Sequence, residues 1–118
     1  MGRFGVQLTL RSDDGTRSET VEAVADSGSA YTVLPRATLE SLGCVPVRPQ
    51  LVGFADGRTE EWFLTLVAVE CAGRRAITPV LMNPGGGPLL LGATTLQELG
   101  LGVDPVHHRL IPVTIVQV

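Results

Sequence analysis

The first candidate for chemistry in this sequence is the segment around Asp26. This residue follows the apolar pair Val24-Ala25 and precedes Ser27, Gly28 and Ser29. A carboxylate can act as a general base when ionised and as a general acid when protonated. The same residues also fit an ordinary Asx turn, in which Asp26 accepts a hydrogen bond from the backbone two residues on. Taken alone, Asp-Ser-Gly favours the turn, so the surrounding elements have to decide.

The residues around Asp26 are predicted to lie on short β-strands. Apolar and polar residues alternate along Phe4 to Arg11, and Asp13-Asp14-Gly15 and Asp56-Gly57 are hairpin signals. Strands are predicted over residues 4–11, 20–25, 31–34, 50–54, 59–70, 75–82, 89–91 and 109–116. Fourteen glycines and eight prolines suit many strands and turns better than a few long helices. The 118 residues are therefore predicted to form a single all-β domain over residues 1–118, a barrel or a sandwich.

Two short helices are predicted within this β framework. The first covers Arg36 to Leu42 and ends before Gly43, where glycine suits the position past the last turn. The second covers Thr95 to Leu99, with Thr94 as its N-cap and Gln97 completing a capping box. Helices are thus a minor part of the predicted domain.

The two predicted helices belong to an internal repeat. Ala37 to Gly43 and Thr94 to Gly100 share Thr, Leu, Leu and Gly in register, at an offset of 95 − 38 = 57 residues. Carried backwards, this offset aligns Asp26 with Asn83, and the glycine two residues on with Gly85. Because the order of elements also matches, we interpret the chain as a duplicated unit. The first copy carries a carboxylate and the second carries an amide.

The motifs and their order resemble those of the retropepsin-like aspartic proteases. That family carries Asp-Thr/Ser-Gly, then an apolar strand, and later two apolar residues before a glycine and a helix. Asp26-Ser27-Gly28 and Leu89-Leu90-Leu91-Gly92 match this pattern, and the resemblance extends over residues 4–113. It implies the closed six-stranded barrel or sandwich of an acid protease subunit, with one or two short helices.

The resemblance also implies an aspartic endopeptidase that works as a homodimer. Two adjacent carboxylates can activate a water and polarise a peptide carbonyl, because they share one proton. The aspartates at positions 13, 14, 56 and 104 fall in predicted turns, so the second carboxylate is expected from Asp26 of another copy. The predicted catalytic residues are Asp26 as base or acid, Ser27 bonding across the dimer axis, and Gly28 offering its N–H to the carboxylate.

The peptide substrate is expected to lie as an extended strand beneath a flap formed by Phe54 to Arg58. Ser29 is expected to hold the outer oxygen of Asp26. Val33, Leu81 and Leu90 are candidates for side-chain pockets, although apolar strand residues more often belong to the core. The predicted substrate-binding residues are Ser29, Val33, Phe54, Ala55, Asp56, Gly57 and Leu90.

Several kinds of partner are not expected. The formal charge of −3 with no basic block argues against nucleic acid, and no apolar stretch approaches the ~20 residues that span a bilayer. His107-His108 has no third ligand at a suitable spacing, so no metal or other cofactor is predicted. Because no signal peptide is visible and Cys44 and Cys71 are isolated, we expect reduced thiols and a cytoplasmic protein.

Two other functions stay open at this point. A dimeric module with the same fold would bind peptides without hydrolysing them. A β-barrel that binds a small ligand would be a monomer and would give Asp26 no role, so the oligomeric state separates it from a protease. The dimer interface is open as well: it uses either the terminal strands, residues 4–10 and 109–116 as in viral relatives, or a different surface.

Overall fold

The computed structural model describes residues 3–118, which form nine strands and two short helices. In chain order these elements are β1 (Phe4–Arg11), β2 (Ser18–Ala25), β3 (Thr32–Pro35), α1 (Arg36–Ser41), β4 (Arg48–Gly53), β5 (Thr59–Cys71), β6 (Arg74–Asn83), β7 (Leu90–Leu91), α2 (Ala93–Leu99), β8 (Leu101–Asp104) and β9 (Arg109–Pro112). Neither of these helices has the length and apolar character needed to cross a membrane.

Six of the strands close into a ring. The order in the main sheet is β1-β2-β7-β3-β6-β5-β4, and β1 pairs a second time with β5, so that β4 alone of these seven strands lies outside the ring. The 13 residues of β5 allow this, because its first half pairs with β4 and its second half pairs with β6 and β1. The predicted all-β, closed six-stranded fold with two short helices is confirmed.

The interior of the ring is aliphatic. Alternation along β1 turns Leu8 and Leu10 inward, where both are fully buried, and leaves Gln7 exposed. Each such side chain stabilises the fold by about 1.5–3 kcal/mol relative to an exposed one. The largest fully buried apolar side chains are Leu8, Leu10, Leu34, Leu39, Val69, Val80, Met82 and Leu91.

The two copies of the repeat meet in a locally symmetric arrangement. Val24 of β2 pairs in parallel with Leu90 of β7, and the repeat-related pair, Leu81 of β6 with Val33 of β3, is parallel as well. Val33 and Leu90 are themselves 57 residues apart, and they pair with each other in antiparallel fashion. The loop after β2 and the loop after β6 therefore flank the Val33–Leu90 pair from two sides.

The second helix begins earlier than predicted. α2 starts at Ala93 with Gly92 as its N-cap and has no side-chain cap, so the prediction of Thr94 as N-cap in a capping box was wrong. The Ala93 N–H donates to the Ser29 carbonyl at 2.7 Å and the Thr94 N–H to the Ala30 carbonyl at 3.0 Å. The first helical N–H groups need no side-chain cap, because the loop that follows Asp26 accepts them.

The last strand ends earlier than predicted. The sequence predicted a strand over residues 109–116, whereas β9 ends at Pro112 and pairs with β8, a strand that was not predicted. β8 begins directly after Gly100. The last hydrogen bond beside the β8–β9 pair runs from the Val113 N–H to the Gly100 carbonyl. All side chains from Val113 to Val118 are exposed. The other predicted elements differ from the observed ones by at most two residues at either end.

Candidate active site

Asp26 directly follows β2 in a tightly held loop. Its backbone N–H donates to the Leu91 carbonyl at 2.9 Å, which ties the loop to β7. The carboxylate oxygen Oδ1 accepts the Gly28 N–H at 3.0 Å, as predicted for that glycine. The Asp26 side chain is 25% exposed. The Asx turn is therefore real, and it orients the carboxylate while leaving it accessible.

A close approach of two backbone segments supports the Asp26 loop from behind. A β-carbon added to Gly92 would lie 2.4 Å from the carbonyl carbon and oxygen of Tyr31 and 2.8 Å from the carbonyl oxygen of Ser29. No other residue fits at this distance without moving one backbone. The start of α2 is thus pressed directly against the loop after Asp26.

A cluster of buried hydroxyl groups completes this support. Thr32, Thr78 and Thr95 are all essentially inaccessible to solvent. The Thr32 hydroxyl accepts the Gly92 N–H at 3.0 Å and donates to the Thr95 hydroxyl at 2.6 Å, and Thr95 bonds Thr78 at 3.0 Å. These bonds join β3, β6 and α2 immediately behind the loop.

A cation faces the carboxylate from the neighbouring strand. Phe4 pairs with Ala25 in the β1–β2 register, so Arg3 stands opposite Asp26. The Arg3 Nη2 atom lies 3.2 Å from Asp26 Oδ2, with 53% of the arginine side chain exposed. Sequence reasoning missed this contact, because it follows from the pairing register and not from any local motif.

The two serines of the loop have different surroundings. The Ser29 hydroxyl donates to the Tyr31 carbonyl at 2.8 Å, so the expectation that it holds the outer oxygen of Asp26 was wrong. The physical reason is that the Tyr31 carbonyl lies within reach two residues on, as in a local serine turn. Ser27 is exposed and borders an apolar cavity of about 420 Å³ between α2, β8 and the C-terminal residues.

A groove with a volume of about 590 Å³ opens beside the Asp26 loop. Val33, Leu81 and Leu90 all line it, and Ser29 lies at its edge. Val33 and Leu81 also belong to a small apolar cluster with Trp62 and are at most 9% exposed. The two interpretations of these strand residues are therefore compatible, because they are core residues whose outer surface forms the groove floor.

The predicted flap is the turn between β4 and β5. The Phe54 N–H donates to the Arg58 carbonyl and the Gly57 N–H to the Phe54 carbonyl, both at 2.9 Å. Gly57 has a φ of +89°, a conformation that glycine adopts without strain. Phe54 and Arg58 line the groove, whereas Ala55, Asp56 and Gly57 form the exposed tip and do not.

Ion pairs and aromatic contacts stabilise the β4–β5 turn beside the groove. The Arg58 guanidinium lies 4.5 Å from the centre of the Phe54 ring and binds Asp56 at 2.9 Å and Glu60 at 2.8 Å. Trp62 donates its Nε1–H to Glu60 at 2.9 Å. Hydrogen bonds from Arg58 lower the pKa of Asp56, and the bond from its backbone N–H has a larger effect than the bond from its guanidinium. The pKa of Glu60 is lowered most by the hydrogen bond from the Trp62 N–H and further by Arg58.

Residues 7–108 match the sequence profile of a family described as aspartyl protease. The chain belongs to the aspartyl protease family. Its fold is similar to that of simian foamy virus (mac) protease, with 22% identity, a TM-score of 0.57, and coverage of 80% of this chain and 92% of the viral one. A structure of EIAV protease with the inhibitor HBY-793 is also similar, with 25% identity, a TM-score of 0.62, and coverage of 83% and 88%. A search of curated proteins found no match.

These findings confirm the resemblance to retropepsin-like aspartic proteases that the motifs indicated. The family match includes the Asp26 loop, the flap and the Leu90-Leu91-Gly92 segment that supports the loop. The structure brings Asp26, Gly28 and Ser29 into one loop beside the groove, with Val33, Leu90 and Phe54 lining that groove. The roles predicted for these residues stay predictions.

Sequence reasoning did not place Asn83 in the groove of this aspartyl protease. Asn83 lines the groove together with the glycines of the loop that follows it, residues 85–87. Its Oδ1 accepts the Gly85 N–H at 2.9 Å, the same turn that Asp26 makes with Gly28. The offset of 57 residues paired the two turns, and that signal could have identified Asn83.

Asp104 has partners of its own, and neither cysteine forms a disulfide. Asp104 binds both His107 at 2.8 Å and Arg109 at 3.3 Å in the turn between β8 and β9. Cys44 and Cys71 are free thiols. Within residues 3–118, no three His, Cys, Asp or Glu side chains are grouped so as to hold a metal ion.

Proposed function

We propose that the protein is an aspartic endopeptidase that acts as a homodimer, with Asp26 of each subunit forming the catalytic pair. The observation that carries this proposal is the Asp26 carboxylate, held by the Gly28 N–H beside the groove in a chain of the aspartyl protease family. Glu60 also lines the groove, but Trp62 and Arg58 engage both of its oxygens. A second copy of Asp26 is therefore the better source of the second carboxylate.

In the proposed mechanism the two carboxylates share one proton, as is general for carboxyl groups about 3 Å apart. The ionised one accepts a proton from the attacking water, and the protonated one donates a hydrogen bond to the scissile carbonyl. Proton transfer to the leaving amine then releases the two peptides. The Gly28 N–H keeps each carboxylate in the required orientation throughout.

The groove supports a peptide as the substrate. Its floor of Val33, Leu81 and Leu90 is apolar and suits alternate side chains of an extended chain. Phe54 and Arg58 cover it from the flap side and would exclude water from the reacting bond. The similarity to EIAV protease, whose structure holds an inhibitor, supports ligand binding by this fold.

For the dimer interface we propose the exposed C-terminal segment, residues 113–118. Ile115 and Val116 are 75% and 78% exposed, although both are apolar. They border the same cavity as Ser27, next to the carboxylate that has to face its own copy. The alternative is a second apolar surface of Val45, Val47, Leu66 and Ile77, which are 52–70% exposed.

The second candidate function is a dimeric peptide-binding module that does not hydrolyse its ligand. It predicts the same groove and the same dimer, and differs only in turnover. A monomeric ligand binder is excluded if the protein sediments as a dimer in solution.

The test is digestion of casein from pH 3 to 8 by the wild type, Asp26→Asn and Asp13→Asn, with each protein confirmed as a folded dimer. Asp13→Asn removes one exposed carboxylate from the β1–β2 turn and serves as the charge control. We expect cleavage by the wild type and Asp13→Asn, and at least a ~1000-fold loss with Asp26→Asn, because a catalytic base is removed. Cleavage by the Asp26→Asn dimer would overturn the proposed endopeptidase. The absence of cleavage by every dimer at every pH would overturn it as well.

We further propose that the protein works in a reducing compartment, the cytoplasm, since Cys44 and Cys71 are both free. Fractionation of the producing cells would locate it, and recovery from an oxidising compartment would contradict the proposal.

A further inference from the structure

Asn83 reproduces the local geometry of Asp26 on the other side of the Val33–Leu90 pair. The two residues correspond in the repeat, and each accepts the N–H of a glycine two residues on, at 2.9 and 3.0 Å. Asp26 follows the last residue of β2, whereas Asn83 is the last residue of β6. A turn of this kind leaves one polar atom of the side chain for another partner, a carboxylate oxygen in Asp26 and an amide nitrogen in Asn83.

Asn83 is one of the residues that line the groove. Val33 and Leu90 pair with each other and line the groove; β2, which leads into the Asp26 turn, lies beside Leu90, and β6, which ends at Asn83, lies beside Val33. The groove is lined by Ser29 of the Asp26 loop and by Asn83, so a peptide that fills it would lie against both turns. Gly85, Gly86 and Gly87 of the loop that follows line the groove as well, and they present backbone without side chains.

The amide nitrogen of Asn83 is available for such a peptide. Within residues 3–118, Nδ2 makes no hydrogen bond, while Oδ1 is committed to the Gly85 N–H. A β-carbon at Gly87 would lie 3.3 Å from Nδ2, so glycine keeps this nitrogen uncrowded. An amide N–H is a donor only, and an extended peptide presents unpaired main-chain carbonyls as acceptors.

We propose that Asn83 is a substrate-binding residue that donates a hydrogen bond from Nδ2 to a main-chain carbonyl of the bound peptide. The inference deepens the proposed function and rests on the peptide groove, but not on turnover. It gives the second copy of the repeat a role: the first turn presents a carboxylate to the reacting bond, and the second presents a donor that sets the register of the peptide.

The test measures peptide binding in the inactive Asp26→Asn dimer, so that it does not depend on cleavage. The probe is oxidised insulin B chain, and the signal is the fluorescence of Trp62, the single tryptophan, which lines the groove. Asn83→Asp and Asn83→Ser are added separately. Both keep an oxygen that can accept the Gly85 N–H and both lose the amide donor.

We expect each substitution to weaken peptide binding by about 3- to 10-fold, the loss of one hydrogen bond to a neutral acceptor, with an unchanged unfolding midpoint. In the active enzyme the same changes should raise KM and leave kcat unchanged.

Wild-type affinity for the peptide in both variants would overturn the role of Asn83. Weaker binding by Asn83→Asp alone would overturn it too, because the effect would then come from the added charge. No response of Trp62 in the Asp26→Asn parent would overturn the peptide groove itself. Binding without cleavage by the wild type would support Asn83 while contradicting the endopeptidase.

Discussion

Arg3 Nη2 lies 3.2 Å from Asp26 Oδ2, on the side of the carboxylate that the Gly28 N–H does not occupy. The β1–β2 register creates this contact, since Phe4 and Ala25 are direct neighbours. In the proposed dimer the carboxylate of the partner has to come close to the same group. We therefore expect Arg3 to move away when the proposed dimer forms, so that its contact with Asp26 in the single subunit competes with dimerisation.

Replacing Arg3 with glutamine should therefore strengthen the dimer. An exposed ion pair contributes about 0.2–1 kcal/mol, and two are broken for each dimer formed. We expect the dissociation constant of Arg3→Gln to fall by about 2- to 30-fold. Sedimentation equilibrium measures this directly, and specific activity should reach its plateau at a correspondingly lower protein concentration.

Arg36→Gln is the matched control for this change. Arg36 also pairs with a carboxylate at 3.2 Å, that of Glu40, and its side chain is 49% exposed. It lies on α1, away from Asp26, and should leave the dissociation constant unchanged. An equal effect of the two substitutions, or none from Arg3→Gln, would contradict the competition between Arg3 and the partner.

Ile115→Asp should separate the subunits. If Ile115 is buried in the interface, each copy contributes about 1.5–3 kcal/mol, and the dimer contains two. We expect the dissociation constant to rise at least about 100-fold, together with loss of cleavage at dilute protein concentrations. Analytical ultracentrifugation of the variant and the wild type at several concentrations measures the change.

Ile77→Asp provides the comparison, because Ile77 is 69% exposed and Ile115 is 75% exposed. Ile77 lies on the outer face of β6 and belongs to the alternative apolar surface. A dimer that resists Ile77→Asp and breaks with Ile115→Asp places the interface at the C-terminal segment. The opposite pattern would assign it to the surface around Ile77.

The parts of the fold that sequence predicted well are those with a local cause. Alternation along Phe4–Arg11 and the turn at Asp56-Gly57 depend on neighbouring residues, so β1 and the strand ends that flank this turn were predicted within a residue. The closure of the ring through β1 and β5 came from the family resemblance instead. β8 was missed because Leu101–Asp104 is only four residues long and leads straight into a turn.

In the candidate site, too, the residues within a local motif were predicted and the contacts that depend on the fold were not. Asp26 and Gly28 were identified from a contiguous motif, and their hydrogen bond was anticipated. The contact of Arg3 with Asp26 arises from strand register, which no local pattern reveals. The hydroxyl of Ser29 was expected to bond Asp26, and only the folded loop showed that the Tyr31 carbonyl accepts it.

Removing the Thr95 hydroxyl should destabilise the fold. Thr95→Val leaves the buried Thr32 hydroxyl without its acceptor, at a cost of about 1–3 kcal/mol in the free energy of unfolding. Thr95→Ser keeps the hydroxyl and should lose less. The control is Thr9→Val, which breaks an exposed threonine pair with Thr20 at 3.1 Å and should change little. Urea unfolding at one fixed dimer concentration measures all three, and equal losses for Thr95→Val and Thr9→Val would contradict this role.

The flap should loosen at acidic pH. Bonds from Trp62 and Arg58 lower the pKa of Glu60 from 4.5, so the folded flap prefers the ionised carboxylate. The stability that the ionised carboxylate contributes to the flap is fully present above the ordinary pKa of a glutamate. It is lost as the pH falls through the lowered pKa. We expect Trp62 fluorescence to be constant above about pH 5 and to change below pH 4.5, while far-ultraviolet circular dichroism shows that the strands persist.

Glu60→Gln should abolish this acidic change in fluorescence, because its amide oxygen still accepts the Trp62 N–H at every pH while the titrating group is gone. Asp14→Asn is the matched control. Asp14 has a pKa lowered to about 2 by hydrogen bonds from Thr16 and Ser12, but it lies in the β1–β2 turn. Its replacement should leave the Trp62 transition in place. A transition that survives Glu60→Gln would show that another acidic group, not Glu60, controls the position of the flap.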